Sequence, residues 1–185
     1  MILSVAEVAQ ILEEKGLLKR RKWDESERLI DHIEELLDRP IPEDLKNFYR
    51  QRIEWVGEFH AIFPTWNRHV GWRPASIPMT ELLPAQAAPL FFDGFGNIYG
   101  LDLSSASDPP AVYFFDDWDL YERPHYAAGS SLGRFLLLLA EQRTAFDEGR
   151  SAGWELEIDP DIEKCPRAPA LWNAPPERPP WERQD

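Results

Sequence analysis

The sequence predicts an α+β fold in a single domain, and three observations carry that prediction. Short apolar runs at Leu90–Phe92, Ile98–Leu103 and Val112–Phe115 alternate with turn chemistry at Asp93-Gly94, Gly96-Asn97 and Pro109-Pro110, the pattern of strands joined by turns. Segments of helical period precede this stretch. A further helical segment, opened by Gly129-Ser130-Ser131, follows it and is apolar on more than one side, so it is expected to cover a face of the sheet.

Ser4-Val5-Ala6-Glu7 has the spacing of a capping box, and Val5, Val8, Ile11 and Leu12 recur on one face, which predicts a helix over 4–15 closed by Gly16. Lys19-Arg20-Arg21-Lys22 follows as a basic linker. It is either solvated, clamped onto the chain's own acidic surface, or a nucleic-acid patch, and the acidic total argues against the last. Asp24 to Asp38 is the second helix, with Leu29, Ile30, Ile33, Leu36 and Leu37 inward and Arg39-Pro40 as its stop. A third helix begins at Ile41-Pro42, with Pro42 at its first position and Leu45, Phe48 and Tyr49 inward.

Glu54 to Pro64 alternates as one strand, with Trp55, Phe59, Ala61 and Phe63 on one parity. Thr65 to Pro74 holds Trp66, Asn67, His69 and Trp72, either a loop with its tryptophans folded into the core or a binding pocket. Met79 to Leu83 suits a single helical turn. In the central sheet, spanning about 89 to 115, Tyr99, Leu101 and Leu103 share one face. Asp93-Gly94-Phe95-Gly96-Asn97 is a hairpin turn. A calcium loop would need a closing glutamate where Ser104 stands. Ser130 or Ser131 caps the last long helix, whose inner face is Leu132, Phe135, Leu136 and Leu139. Trp154 to Ile158 alternates and predicts one more strand. From Asp159 onward prolines dominate, a tail that either binds a partner or wraps the body with Trp172 and Trp181.

The formal charge of −13, from 33 acidic against 20 basic residues, disfavours nucleic acid and anionic membrane and steers basic partners inward. The single cysteine, Cys165, excludes an intramolecular disulfide and supplies no metal-ligand cluster. No charged segment precedes an apolar core at the N-terminus, and no run approaches a membrane span, so a cytoplasmic location is expected.

The sharpest local cluster is Asp116-Asp117-Trp118-Asp119-Leu120-Tyr121-Glu122. A solvated loop, a protein-binding loop with an aromatic anchor inside an acidic rim, and a divalent-metal site with Asp93, Asp116 and Asp119 are its three readings. Adjacent aspartates point apart on most backbones, which counts against the metal. His125 and Tyr126 have no serine or cysteine nucleophile nearby in sequence. No catalytic residue, cofactor or metal is expected.

Three blocks together resemble the SMI1/KNR4 family of the SUKH superfamily. The first is Ile30–Leu37 running into Arg39-Pro40-Ile41-Pro42-Glu43-Asp44-Leu45-Lys46-Asn47-Phe48-Tyr49. The second is Pro89–Asp93, then Gly96-Asn97-Ile98-Tyr99-Gly100-Leu101-Asp102, then Ala111–Asp116. The third is Ala128-Gly129-Ser130-Ser131-Leu132 into Phe135-Leu136. Arg50-Gln51-Arg52-Ile53-Glu54-Trp55 stands where the family's Asn-Gly usually follows the early helix. The resemblance covers about 30 to 140. It implies a SUKH-like fold, an antiparallel-rich central sheet with helices packed on one face. The domain plan is 1–23 for the N-terminal helix and basic linker, 24–149 for the SMI1/KNR4-like domain, and 150–185 for a Pro-rich extension.

Bacterial members resembling this chain are immunity proteins of polymorphic toxin systems, which bind and block a cognate toxin. Fungal relatives regulate cell-wall synthesis. The resemblance therefore implies a non-catalytic, cytoplasmic toxin-binding protein, with a basic nuclease-type toxin as partner and no nucleic acid or membrane. Asp116, Asp117, Trp118, Asp119, Tyr121 and Glu122 are the expected partner-binding set: Trp118 and Tyr121 form its apolar centre and the carboxylates its rim. The alternative is a regulatory adaptor that binds a cellular protein through its surface or Pro-rich tail.

Overall fold

A computed structural model describes residues 4–22, 26–57, 59–61, 87–104, 108–119 and 121–166. The expectations for Thr65–Pro74, Met79–Leu83 and the tail with Trp172 and Trp181 lie outside the described residues.

Helix α1, Val5–Glu14, begins as its capping box dictates. Ser4 Oγ accepts the Glu7 N–H at 3.3 Å and Glu7 Oε2 accepts the Ser4 N–H at 2.8 Å. Its buried face, Val5, Val8, Ala9 and Leu12, lies against later helices. The basic run then departs from the expected linker. Leu18–Arg20 is strand β1 at the sheet edge, antiparallel to β2, Ile53–Val56. Helices α2, Ser26–Leu37, and α3, Glu43–Arg50, pack together as their short link requires. Pro42 occupies the N-cap of α3, one position before the expected one. Glu34 fixes the link by accepting the Ile41 N–H at 3.0 Å and pairing with Lys46 at 2.7 Å.

The strand expected over 54–64 is instead two. Gly57, at φ +57°, turns β2 back into β3, Phe59–Ala61. Alternation continues in sequence through the turn and hides it. Strands β4, Ala87–Phe92, β5, Ile98–Asp102, and β6, Val112–Phe115, follow as the apolar runs predict. Pro89 lies in a central strand because the β4–β5 register shifts between Pro89 and Phe91, a bulge where a missing N–H is tolerated. Strand β7, Pro124–Gly129, was not expected. It holds few large apolar residues, and two register shifts against β6 break its alternation. Among the described residues the sheet has seven strands in sequence order, every neighbouring pair antiparallel.

Ser131 caps α4, Leu132–Asp147, by accepting the Arg134 N–H. The helix comes so close to the end of β7 that a Cβ on Gly129 would stand 2.7 Å from Phe135 Cβ. Tyr99, Leu101 and Leu103 share the core on this face, as predicted, with Leu90, Phe91, Val112 and the inner residues of α1 to α4. Aromatic edges link the layers, with Phe48 to Phe91 at 5.5 Å and Phe91 to Phe135 at 5.9 Å.

The opposite face carries Ile98, Tyr113, Phe115 and Ala127, and the chain after α4 covers it. Trp154–Ile158 is helix α5, not the expected strand. Five residues of alternation do not separate the two states, and tertiary contacts decide. Asp159, fully buried, accepts from the Ser130 N–H at 2.6 Å and the Ser130 hydroxyl at 2.5 Å. Arg134 donates to the Ile158 carbonyl at 2.6 Å, and Tyr113 to the Pro166 carbonyl at 2.7 Å. These bonds hold residues 158–166 against the rest of the fold. Cys165 is half-buried there, and burial, then Asp159 and Asp161, push its thiol up to about 11. That leaves little thiolate for nucleophilic chemistry near neutral pH. No helix among the described residues is long and apolar enough to cross a membrane.

Candidate functional site

Two turns at one end of the sheet carry the charged and aromatic residues singled out in the sequence. The first joins β4 to β5. Asp93 Oδ1 accepts the N–H groups of Phe95 at 2.8 Å and Asn97 at 3.1 Å, and its Oδ2 accepts Asn97 Nδ2 at 2.8 Å. This is an aspartate organising its own turn, with both of its carboxylate oxygens hydrogen-bonded within it. With the polar side chains tied down, Phe95 at the tip projects outward and is 87% exposed.

The second turn joins β6 to β7. Asp116 Oδ1 accepts the Trp118 N–H at 2.9 Å, and the Asp116 carbonyl accepts the Tyr121 N–H at 3.1 Å. A 3-10 turn over Asp117–Asp119 results. Trp118 stands on it 95% exposed. Asp117 and Glu122 are exposed, Asp116 half-buried, and the Asp119 side chain lies outside what is described.

Asn97 and Tyr121 fasten the turns together. Asn97 Oδ1 accepts the Asp117 N–H at 3.2 Å. The Tyr121 hydroxyl lies 2.8 Å from the Gly96 carbonyl and 2.7 Å from Asp117 Oδ1, and its one proton serves both acceptors. Burial, the bond to Asp117 and the charges of Asp117, Asp93 and Asp116 raise that phenol well above its ordinary range. Tyr121 itself sits at φ 62°, held there by these contacts. The structure thus joins Asp116, Asp117, Trp118 and Tyr121 in one hydrogen-bonded turn, with Tyr121 half-buried, and Glu122 follows it, exposed.

Among the described residues, Asp116, Asp117 and Glu122 have no ion pair, so no cation of the chain offsets their charge there. No group of three histidine, cysteine, aspartate or glutamate side chains among the described residues could hold a metal ion. His125 is buried in β7, its ring edge-on to Phe114 at 6.1 Å.

Sequence reasoning missed Phe95 and Phe146. A phenylalanine between two glycines, in a turn whose aspartate and asparagine serve the backbone, was the available signal for Phe95. Phe146 carried the opposite signal. Seven residues beyond Leu139, it continues the inner face of α4 by period, yet it is 80% exposed.

A family profile described as "SMI1 / KNR4 family (SUKH-1)" matches residues 25–137, more than half of the chain. No curated protein matches it. No solved structure matches it either.

Proposed function

The chain belongs to the SMI1 / KNR4 family (SUKH-1), and from that membership we propose that it is a cytoplasmic immunity protein that captures a basic, nuclease-type toxin through the 116–122 turn. The family is known for immunity proteins of toxin systems. What supports the assignment here is Trp118. A side chain of that size, 95% exposed on a hydrogen-bonded turn beside Asp116 and Asp117, which have no ion pair among the described residues, has no role in the chain's own core. Nanomolar capture requires about −12 kcal/mol. Long-range attraction raises the association rate but does not supply that sum, so desolvated apolar contacts must contribute to it, starting from an aromatic anchor. Trp118 provides it, Tyr121 supports it from below, and Asp116, Asp117, Asp119 and Glu122 form the rim. The mechanism is stoichiometric occlusion of the toxin, with no bond made or broken.

The test is co-expression with the product of the neighbouring reading frame, scored by rescue of growth from its toxicity and by co-purification. The wild-type chain is expected to rescue, and Trp118→Ala to lower toxin affinity by about thirtyfold. A toxin left active by the wild-type chain would defeat the immunity assignment. Unchanged affinity in Trp118→Ala would move the site elsewhere.

A further inference from the structure

Among the described residues the large hydrophobic side chains left exposed are Phe95, Trp118 and Phe146. They come from three different elements, yet they are not scattered. Phe95 and Phe146 line the same groove, about 750 Å³, between the β4–β5 turn and the C-terminal half of α4. Trp118 stands on the turn that Asn97 and Tyr121 tie to the one bearing Phe95. Single exposed apolar residues need no explanation, but contiguous ones rimmed by charge mark an interaction surface.

We propose that the partner-binding surface continues from the acidic turn over Phe95 into this groove as far as Phe146, and that the groove receives the apolar side chains of a basic protein segment. The identity of that protein as a toxin rests on the function proposed above, whereas the groove and its chemistry do not. Area supports the extension. A stable complex covers roughly 800 Å² on each partner, and one tryptophan contributes roughly 200 Å². The acidic turn alone therefore falls short, and a surface that includes Phe95 and Phe146 comes closer to the requirement.

The groove's polar groups favour a cationic occupant. Its floor includes Tyr99, Tyr126 and Phe135, with Glu155 towards the α5 side. Glu155 brings a carboxylate to this side of the groove, with Oε2 buried and without a hydrogen-bond partner among the described residues, so the local field favours a lysine or arginine of the occupant nearby. The cations on the groove wall are already neutralised. Arg143 pairs with Asp147 at 2.9 Å, and Arg150 with Glu141 and Glu148 at 2.8 Å each. A second copy of this chain, at −13, is repelled by the same field that attracts a basic protein.

The experiment titrates the isotopically labelled full chain with a short amphipathic lysine–leucine peptide and follows the backbone amides. A glutamate–leucine peptide and oligolysine serve as comparisons. The lysine–leucine peptide is expected to shift amides near Phe95, Tyr126 and Phe146 together with Trp118. Phe95→Ser and Phe146→Ser are each expected to weaken it about tenfold with the thermal midpoint unchanged. The proposal is overturned if shifts stay within 116–122, if the glutamate–leucine peptide binds equally well, or if sedimentation shows a dimer that Phe146→Ser dissolves. Toxin neutralised equally well by both serine variants and by wild type would also overturn it, while leaving the immunity function standing. Peptide seated in the groove of a chain that protects against no toxin would support the groove and remove the immunity function instead.

Discussion

The basic run Lys19–Lys22 and the acidic run Asp116–Glu122 look alike in sequence, each a short cluster of one charge, and the fold treats them oppositely. The basic run enters an edge strand, beside α1 and β2, where acidic and carbonyl partners reach it. Arg20 donates to Glu13 at 2.9 and 3.0 Å and to the Gln51 carbonyl and side chain at 2.6 and 2.7 Å. Burial lowers the Arg21 guanidinium to about 10 despite the opposing charge of Glu54. The acidic run enters a turn between strands, where the donors to its carboxylates are the neutral Trp118 N–H and the Tyr121 hydroxyl of the turn itself. Those bonds fix the geometry without cancelling the charge, so the negative field remains available to a partner. A charge run therefore signals binding only when its neighbours in space, which the sequence does not print, leave it unpaired.

The largest effect expected from breaking this contrast is on the basic side. Arg20→Ala removes charge-assisted bonds to a half-buried carbonyl and amide, and should lower the unfolding free energy by about 2 kcal/mol in urea denaturation. It should leave toxin affinity unchanged. A stability loss below about 0.5 kcal/mol would mean that the run is a solvated linker after all.

Next in size is Asn97→Ala, which takes away the acceptor for the Asp117 N–H and the donor to Asp93. Stability should fall by about 1 kcal/mol. Capture should weaken about three- to tenfold, through loosening of the turn that carries Trp118. A change in stability with no change in capture would separate the fastening of the turns from binding.

Alkaline pH sharpens the same comparison from the side of Tyr121. Tyr49, Tyr99 and Tyr121 all have phenols raised above the ordinary 10.0, burial being the first cause in each. Above about pH 10 the unfolded chain releases protons that the folded chain still holds, so the folded state loses stability as pH rises. The urea midpoint should be flat towards neutrality and decline above that value. Tyr121→Phe should shed the part of the decline owed to the acidic turn, and an undiminished slope would assign it to the buried core tyrosines alone.

Much of this fold was legible because local chemistry and tertiary packing agreed. Ser4 and Glu7 formed the box their spacing promised, and Ser131 took the cap. Tyr99, Leu101 and Leu103 kept their common face. The failures fall where a longer-range partner decides. Trp154–Ile158 has a strand's alternation but lies on α4 as a helix, with Asp159 held by Ser130. β7 was invisible because its pairing with β6 is irregular. At the candidate site, the residues of 116–122 could be picked out from sequence, but Asn97's tie to Asp117 spans 20 positions. The solvent exposure of Phe146 contradicts its helical period outright.

The smallest effect is the most discriminating about what the basic run does. Lys19 meets Glu54 at 3.5 Å with its side chain 69% exposed. A pair so open to water gains little from Coulomb attraction, since solvent screens it and two long side chains lose freedom to form it. Lys19→Ala should therefore change stability by less than about 0.5 kcal/mol, with little dependence on salt. If it cost as much as Arg20→Ala, the run would act as a diffuse positive field against the acidic body. Raised salt would then weaken the wild-type fold to match. If only Arg20→Ala matters, the charge in β1 works through directed hydrogen bonds at one residue, and the negative surplus elsewhere on the chain is left free for the partner.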